Sequence, residues 1–206
     1  MRLILLLTLS LTFTAAFAQN SDSVKHDIGL KIHFISPILE NTSFSLEKSV
    51  SEFRSWEIEF GIIGVGYNSN IEVDNKGGLL SFGYKFIHHR HNNSNRGKFP
   101  SFLDGHYVKP QVLASAYKFH RYLGTGSEIK KDIAAFAFLI NIGNQSVYDN
   151  FFIIDYSFGL GYGYSSTHSN DRNIVYERVN HYSFLLGDKN SPIALSLKIK
   201  IGIIIN

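Results

Sequence analysis

From Ile28 to Ile203 the chain returns repeatedly to a period of two, and no other feature constrains its fold as much. Strict alternation of apolar and polar residues is the pattern of a β-strand with one apolar and one polar face. In the first such segment Ile28, Leu30, Ile32 and Phe34 oppose Gly29, Lys31 and His33. The second sets Phe44 and Leu46 against Ser43, Ser45 and Glu47, and the third sets Trp56, Ile58, Phe60 and Ile62 against Glu57, Glu59 and Gly61. In the fourth, Leu80, Phe82, Tyr84 and Phe86 face away from Ser81, Gly83 and Lys85. The fifth has Val108, Val112 and Ala114 opposite Lys109, Gln111 and Ser115. The sixth, Ile133 to Asn144, is apolar on both faces and is assigned by its position. The seventh runs Phe152, Ile154, Tyr156, Phe158, Leu160, Tyr162 and Tyr164 against Asp155, Ser157, Gly159, Gly161 and Gly163. The eighth opposes Ile193, Leu195, Leu197, Ile199, Ile201 and Ile203 to Ala194, Ser196, Lys198, Lys200 and Gly202.

Eight strands is an even number, and all but the short second are long. Several exceed the ~9–11 residues that cross a bilayer at a tilt, against ~5–6 for an ordinary strand. The connections Asn68 to Lys76, His88 to Asp104, Gly124 to Lys130 and Ser165 to Ser191 are rich in Asn, Ser, Asp and Gly, and Ser146 to Asp149 reads as a tight turn. No run of 18 apolar residues follows Ala18, so no helical span is expected. With 206 residues, 17 glycines but 4 prolines, 44% hydrophobic and 18% charged residues, the chain is neither collagen-like nor disordered. A net charge of +3 with acids and bases mixed gives no case for a nucleic-acid partner. The absence of cysteine excludes disulfides, thiolate metal sites and a cysteine nucleophile.

Before the alternation begins, Arg2 precedes an apolar stretch from Leu3 to Phe13, and Ala16-Phe17-Ala18 supplies a small-x-small cleavage pattern. Residues 1–18 therefore read as a secretory signal peptide and 19–206 as a single barrel domain beginning at Gln19. With the N-terminus in a periplasm, the turns after strands two, four and six face inward to the cell, and Ser165 to Ser191 faces outside. His88 to Asp104 is long for a periplasmic turn.

The two faces decide what kind of barrel this is. A soluble barrel turns its apolar face inward, and an outer-membrane barrel turns it to lipid. Here the apolar faces are loaded with Phe, Tyr, Ile and Leu, too bulky for the narrow lumen of eight strands. Trp56 and the tyrosines near strand ends fit aromatic girdles. The polar faces carry Lys31, His33, Glu47, Glu57, Glu59, Lys85, Lys109, Asp155, Lys198 and Lys200. Packed inside, the five lysines and four carboxylates among them are expected to pair and plug the lumen.

At this point the chain resembles the small outer-membrane β-barrel proteins of Bacteroidota. The resemblance is carried by Phe44-Ser45-Leu46-Glu47 after Pro37, Trp56-Glu57-Ile58-Glu59-Phe60-Gly61, Gly83-Tyr84-Lys85-Phe86, Gly105-His106-Tyr107-Val108-Lys109-Pro110-Gln111 and Phe158-Gly159-Leu160-Gly161-Tyr162-Gly163-Tyr164, and by Leu197-Lys198-Ile199-Lys200-Ile201-Gly202 near the end. It implies outer-membrane lipid and the barrel assembly machinery as partners, and it transfers no catalytic residue. Two departures stand out. Such chains usually end on an aromatic residue, whereas this one ends Ile205-Asn206. Pro110 would remove a ladder bond from a strand paired on both sides, so a bulge is expected there.

Other motifs have bland readings. Gly159-x-Gly161-x-Gly163, and the set Gly61, Gly64 and Gly66, lack the following helix a phosphate loop needs. Glu57 and Glu59 read as ion-pair partners of Lys85 or Lys109 before they read as an acid/base pair. His88, His89 and His91, with Arg90 and Arg96, read as a basic turn and not a metal site. Ser45-Leu46-Glu47-Lys48 matches the start of an acyl-enzyme motif, but Ser45 and Lys48 fall on opposite strand faces. Ser165, Ser166, His168, Asp171 and His181 in the last long loop leave a lipid-modifying hydrolase or acyltransferase open as an alternative. No cofactor is implied. The expectation is an all-β, eight-stranded antiparallel up-and-down transmembrane β-barrel in an outer membrane, with a plugged lumen and a structural or surface-interaction role. Its outer loops would meet a surface ligand. A barrel binding or transporting a small hydrophobic ligand and a soluble lipocalin-like barrel are the remaining alternatives.

Overall fold

The computed structural model describes residues 27–66, 74–89, 101–123, 127–166, 180–187 and 192–205. Residues 1–18, read as a signal peptide, and the expected start at Gln19 lie outside the described residues. Nine strands form one sheet: β1 Ile28–His33, β2 Asn41–Ser51, β3 Arg54–Ile63, β4 Lys76–His89, β5 Gly105–Leu123, β6 Ser127–Tyr148, β7 Phe152–Ser165, β8 Leu185–Leu186 and β9 Ile193–Ile205. Strands β1 to β7 pair antiparallel with their sequence neighbours, β7 pairs with β9, and β9 pairs back to β1 from Ile28↔Ile205 to His33↔Lys200. That closes an eight-stranded antiparallel up-and-down barrel whose strands are the eight alternating segments. β8 adds two residues beside β9. The β2–β3, β4–β5 and β6–β7 connections share one end of the barrel with Asp27 and Ile205, here called the terminal end. The opposite end is the loop end.

Several local expectations are corrected. β2 spans 11 residues and β1 only 6, because the serines Ser43, Ser45 and Ser49 continue the inward face of β2 where little apolar contrast marks it. The tight turn sits two residues later than expected, at Tyr148 to Phe151. Asp149 and Asn150 both have φ of 52°, the doubly left-handed geometry of a two-residue hairpin. Ser127 to Lys130, read as loop, belongs to β6 and pairs with β5 out to Leu123↔Ser127. No bulge forms at Pro110. The β4–β5 register is the same on either side, Gly83↔Gln111 and Phe86↔Val108, and the pairing lapses only opposite Tyr84 and Lys85. β6 continues unbroken across Pro110↔Ile140. The proline withholds one donor from one neighbour, and a two-residue gap absorbs that without an extra residue. The register shifts lie instead between Ser49 and Ser51 and between Ile87 and His89, towards the terminal end, where pairing is ending.

Alternation resolves which face is which. Exposed large apolar side chains stand on every barrel strand, from Leu30, Leu46 and Phe60 to Phe82, Val112, Phe138, Phe158 and Leu197. The opposite residues are buried. In β6, where both faces read as apolar, size separates them: Ala135, Ala137 and Leu139 turn inward, while Phe136, Phe138 and Ile140 turn outward. The interior is stacked in three layers along the barrel axis. At the terminal end Leu103, Val147, Ile153 and Ile204 form an apolar base. Leu103 comes from the end of the long β4–β5 connection, whose Ser101 hydroxyl and Phe102 N–H both donate to Asp27. A charged layer follows, and above it an apolar layer reaches the loop end.

Candidate functional site: the charged layer and the strap above it

The inward positions of seven barrel strands bring Lys31, Glu47, Glu57, Glu59, Lys85, Lys109, Asp155, Lys198 and Lys200 into one buried layer. The Lys31 ammonium donates to Glu47 at 2.6 Å, Glu57 at 2.6 Å, Asp155 at 2.7 Å and the Gln145 side-chain oxygen at 3.1 Å. Lys85 lies among the same three carboxylates, 3.0 Å from Glu47, 3.3 Å from Glu57 and 2.9 Å from Asp155. Glu59 takes Lys198 at 2.8 Å and Lys200 at 2.8 Å, and Lys200 also reaches Glu57 at 2.6 Å. Lys109 donates to Glu57 at 2.9 Å. Glu57 is therefore the hub that joins the two parts of the layer.

Neutral groups complete the network. Tyr107 donates its hydroxyl to Asp155 at 2.6 Å, and the Lys85 ammonium lies 4.2 Å from the centre of the Tyr107 ring. Ser55 donates to Glu47. Asn141 donates to Gln111, which donates to Ser81. Tyr107 was not distinguishable from the girdle tyrosines by type. Its signal was parity, since it shares a face with Lys109 and Gln111. Tyr117 is likewise inside, whereas Tyr156, Tyr162 and Tyr164 are exposed on the outer wall.

The oxygens of Glu47, Glu57 and Asp155 lie within 4.8 Å of one another, a spacing that would suit a cation. Two ammonium groups already sit among those three carboxylates, so the charge a metal would supply is supplied by Lys31 and Lys85. Glu57 and Glu59 are each 1% exposed and held by lysines, which leaves no open face for a substrate between them. Both features describe a fixed electrostatic scaffold. Taking one partner from such a buried cluster typically costs ~3–5 kcal/mol, because the charge left behind stays desolvated.

Above the charges, a strap from the loop between β7 and β9 enters the barrel. Asn180 bridges to Leu185, the His181 N–H donates to the Phe184 carbonyl at 2.9 Å, and Tyr182 adopts φ of 70°. Phe184 and Leu186 pack with Leu113, Ala135, Ala137, Leu139 and Ala194. Tyr182 packs with Ile63, Leu79, Tyr117 and Ile133. Gly163 makes room for the strap: a Cβ there would stand 2.8 Å from the Leu186 methyl. Three polar contacts tie the strap down. Lys198 donates to the Ser183 hydroxyl at 3.1 Å, Ser196 donates to the Ser183 carbonyl at 3.2 Å, and Asn41 donates to the Tyr182 carbonyl at 3.3 Å. In the sequence this stretch reads as loop. Its only cue was the short alternation Tyr182, Phe184, Leu186 inside a polar stretch.

The remaining candidates are dispersed. His181 is buried inside the barrel, its Nδ1 3.1 Å from the Tyr117 hydroxyl, while Ser166 is exposed and accepts the Ala134 N–H at 3.0 Å. His168 and Asp171 lie outside the described residues, as do Arg90, His91 and Arg96. His88 is exposed at the end of β4 with its Nδ1 3.1 Å from the Phe86 carbonyl. Ser45 is buried in the lumen and Lys48 lies on the outward face. Gly159, Gly161 and Gly163 are lumen-side strand residues. Compared with known protein families, curated proteins and solved structures, the chain matches none.

Proposed function

We propose that this chain is an exported outer-membrane β-barrel protein that conducts no solute and acts as a structural or surface-interaction component. The observation that carries the reading is the inverted wall. Leu197 is 67% exposed, Ile142 66% and Tyr162 70%, while five lysines and four carboxylates are buried inside. In water such a wall would leave a far larger apolar patch than the few hundred Å² a soluble monomer tolerates. Against acyl chains the same wall is matched to its solvent. The lipocalin-like alternative needs the reverse placement.

The non-conducting part of the reading rests on the interior. Charges meet across the lumen in contacts of 2.6–3.3 Å, with an apolar layer on each side. The partners that go with this reading are outer-membrane lipid and the barrel assembly machinery, implied by the resemblance to Bacteroidota barrels, and a surface ligand met by the outer loops.

The test is mobility on a mild-detergent gel, heated and unheated, on separated membrane and periplasmic fractions. An outer-membrane band whose mobility changes on boiling is expected, with no conductance steps in a planar bilayer. A periplasmic protein with no shift would overturn the reading. Leu197→Arg sharpens the test. At mid-belt in lipid it should cost about 2–4 kcal/mol. An exposed site in water would register within about 0.5 kcal/mol.

A further inference from the structure

The barrel wall has a seam. β1 ends at His33, paired with Lys200, so the loop-end half of β9 has no partner from β1. Phe34 donates its N–H to the Ile199 carbonyl, and beyond that point the strap takes over the β9 edge. Leu185 pairs with Leu195 and Leu186 with Ala194, while β7 pairs with the same two residues from the other side. Alternation continues through this patch. Leu185 is exposed beside the outward Leu195, and Leu186 is buried beside the inward Ala194. β8 is therefore a piece of the wall, with an apolar outer face. Across the seam the strap meets β2, where Asn41 donates to the Tyr182 carbonyl at 3.3 Å.

This piece of wall is held less firmly than its surroundings. Six residues of β1 pair with β9, whereas the strap contributes two pairs and the Gly187 N–H to the Ile193 carbonyl at 2.8 Å. Tyr182 keeps φ of 70°, a conformation that costs a non-glycine residue energy and recurs in switch segments. Inside, Phe184 and Leu186 take up the space beside the small Ala135, Ala137 and Ala194. Three polar contacts at Tyr182 and Ser183 run one way. Lys198, Ser196 and Asn41 donate, while the Ser183 hydroxyl, the Ser183 carbonyl and the Tyr182 carbonyl accept. The strap thus offers the barrel acceptor oxygens with apolar carbon beside them, the arrangement of a long-chain acid.

We infer that the strap is a displaceable wall segment, and that the chamber behind it binds one fatty acid entering from lipid between β9 and β2. The inference rests on the membrane reading, because only there does the seam open on acyl chains, and it adds a ligand to that reading. The chain would replace Phe184 and Leu186 among the alanines. The space of two side chains suits a single chain and not a two-chain lipid. The carboxyl oxygens would replace those of Ser183 at Lys198 and Ser196. Donor chemistry selects this occupant. An alkane would leave Lys198 and Ser196 without the acceptors that Ser183 gives them, and a buried donor without a partner is costly. An amine would set donor against donor. Lys198 keeps Glu59 throughout. Five lysines against four carboxylates leave the described layer one positive charge in excess, which an ionised carboxyl would balance. The charged layer closes the chamber below, so the ligand is held and not conducted.

The chain has no cysteine, so Leu185→Cys with Leu195→Cys places a single disulfide across paired outward positions of the strap and β9. The full-length double variant is refolded into phosphatidylcholine vesicles, and insertion is confirmed by the heat-dependent mobility shift. It is incubated with palmitic acid, hexadecane or hexadecylamine, extracted into mild detergent, and its retained ligand counted by native mass spectrometry. The reduced protein should retain one palmitate and about tenfold less of the other two, the ratio expected from one hydrogen bond to a charged group. Oxidation locks the strap and should abolish retention. Ser196→Ala, in the chain without cysteines, should lower palmitate retention about fivefold and keep the mobility shift. Equal retention by oxidised and reduced protein would place palmitate on the outer wall. No retention by the reduced protein, equal retention of hexadecylamine, or unchanged retention in Ser196→Ala would leave the strap a fixed plug. A cysteine pair that does not oxidise in an inserted chain would remove β8 from the seam. Each of these overturns the inference and leaves the membrane reading intact, whereas a chain that never inserts would overturn both.

Discussion

The two upper layers of the interior are built on different principles. The charged layer is made of strand residues alone, and its centre, Lys31, Lys85 and Glu57, is held from several directions by opposite charges. The apolar layer is completed by a segment from a loop, which pairs with β9 at Leu185–Leu186 and turns Phe184 and Leu186 in among alanines. One layer is specified by geometry that a single missing partner ruins. The other is specified by volume, and small inward residues leave the space that the strap fills. Lys198 spans the two, donating both to Glu59 and to Ser183 of the strap. A strongly coupled layer should therefore fail globally and a volume-filling one locally.

The largest effect is expected from Lys31→Met. It brings the layer to four lysines and four carboxylates, yet it takes a partner from three carboxylates at once and leaves Lys85 to hold Glu47 and Asp155. A loss of about 3–5 kcal/mol should appear as a lower urea midpoint of the heat-modifiable form. Lys109→Met makes the same change in net charge but removes a partner from one carboxylate, Glu57. Glu57 keeps Lys31, Lys85 and Lys200, so no charge is left unpaired and the cost should be less, about 1.5–3 kcal/mol, that of one hydrogen bond to a charged group. Equal losses would mean that net charge governs the layer and not contact geometry.

Leu186→Ala should cost about 2–4 kcal/mol, within the range for emptying a packed leucine site. Hydrogen exchange should quicken at the loop-end halves of β5 and β6 while the charged layer stays protected. Gly163→Ala should cost about 1–2 kcal/mol by crowding the Leu186 methyl at 2.8 Å and the Phe136 carbonyl at 2.9 Å. Combined with Leu186→Ala its cost should shrink in part, because the crowded methyl is gone while the Phe136 carbonyl stays. Simple additivity of the two would show that the strap does not press on β7. The smallest effect is Tyr117→Phe, about 1 kcal/mol for the contact to His181, read as a modest fall in midpoint with no change in lipid insertion.

Much of this was legible along the chain because a strand writes its two faces at alternate residues. Lys198 and Lys200, or Glu57 and Glu59, share a face by parity before any contact is known. The eight segments and their up-and-down order followed in the same way. Parity failed where composition was flat. The serines of β2 hid its length, and in β6 only size distinguishes Ala137 from Phe138. It was silent on residues whose type suits either face, as with Tyr107 inside and Tyr162 outside. It also said nothing of the strap, because only its last two residues, Leu185 and Leu186, pair with a barrel strand, too few for a period to show.

Local alternation by itself determined the strands, the charge-bearing face and the apolar wall, because those depend on spacing within one segment. Tertiary structure decided the rest. Closure of β9 on β1 set which carboxylate meets which lysine, since pairs such as Lys31 and Asp155 are 124 residues apart. The same closure fixed the width of the lumen, and that width selected a strap carrying Phe184 and Leu186 to fill it.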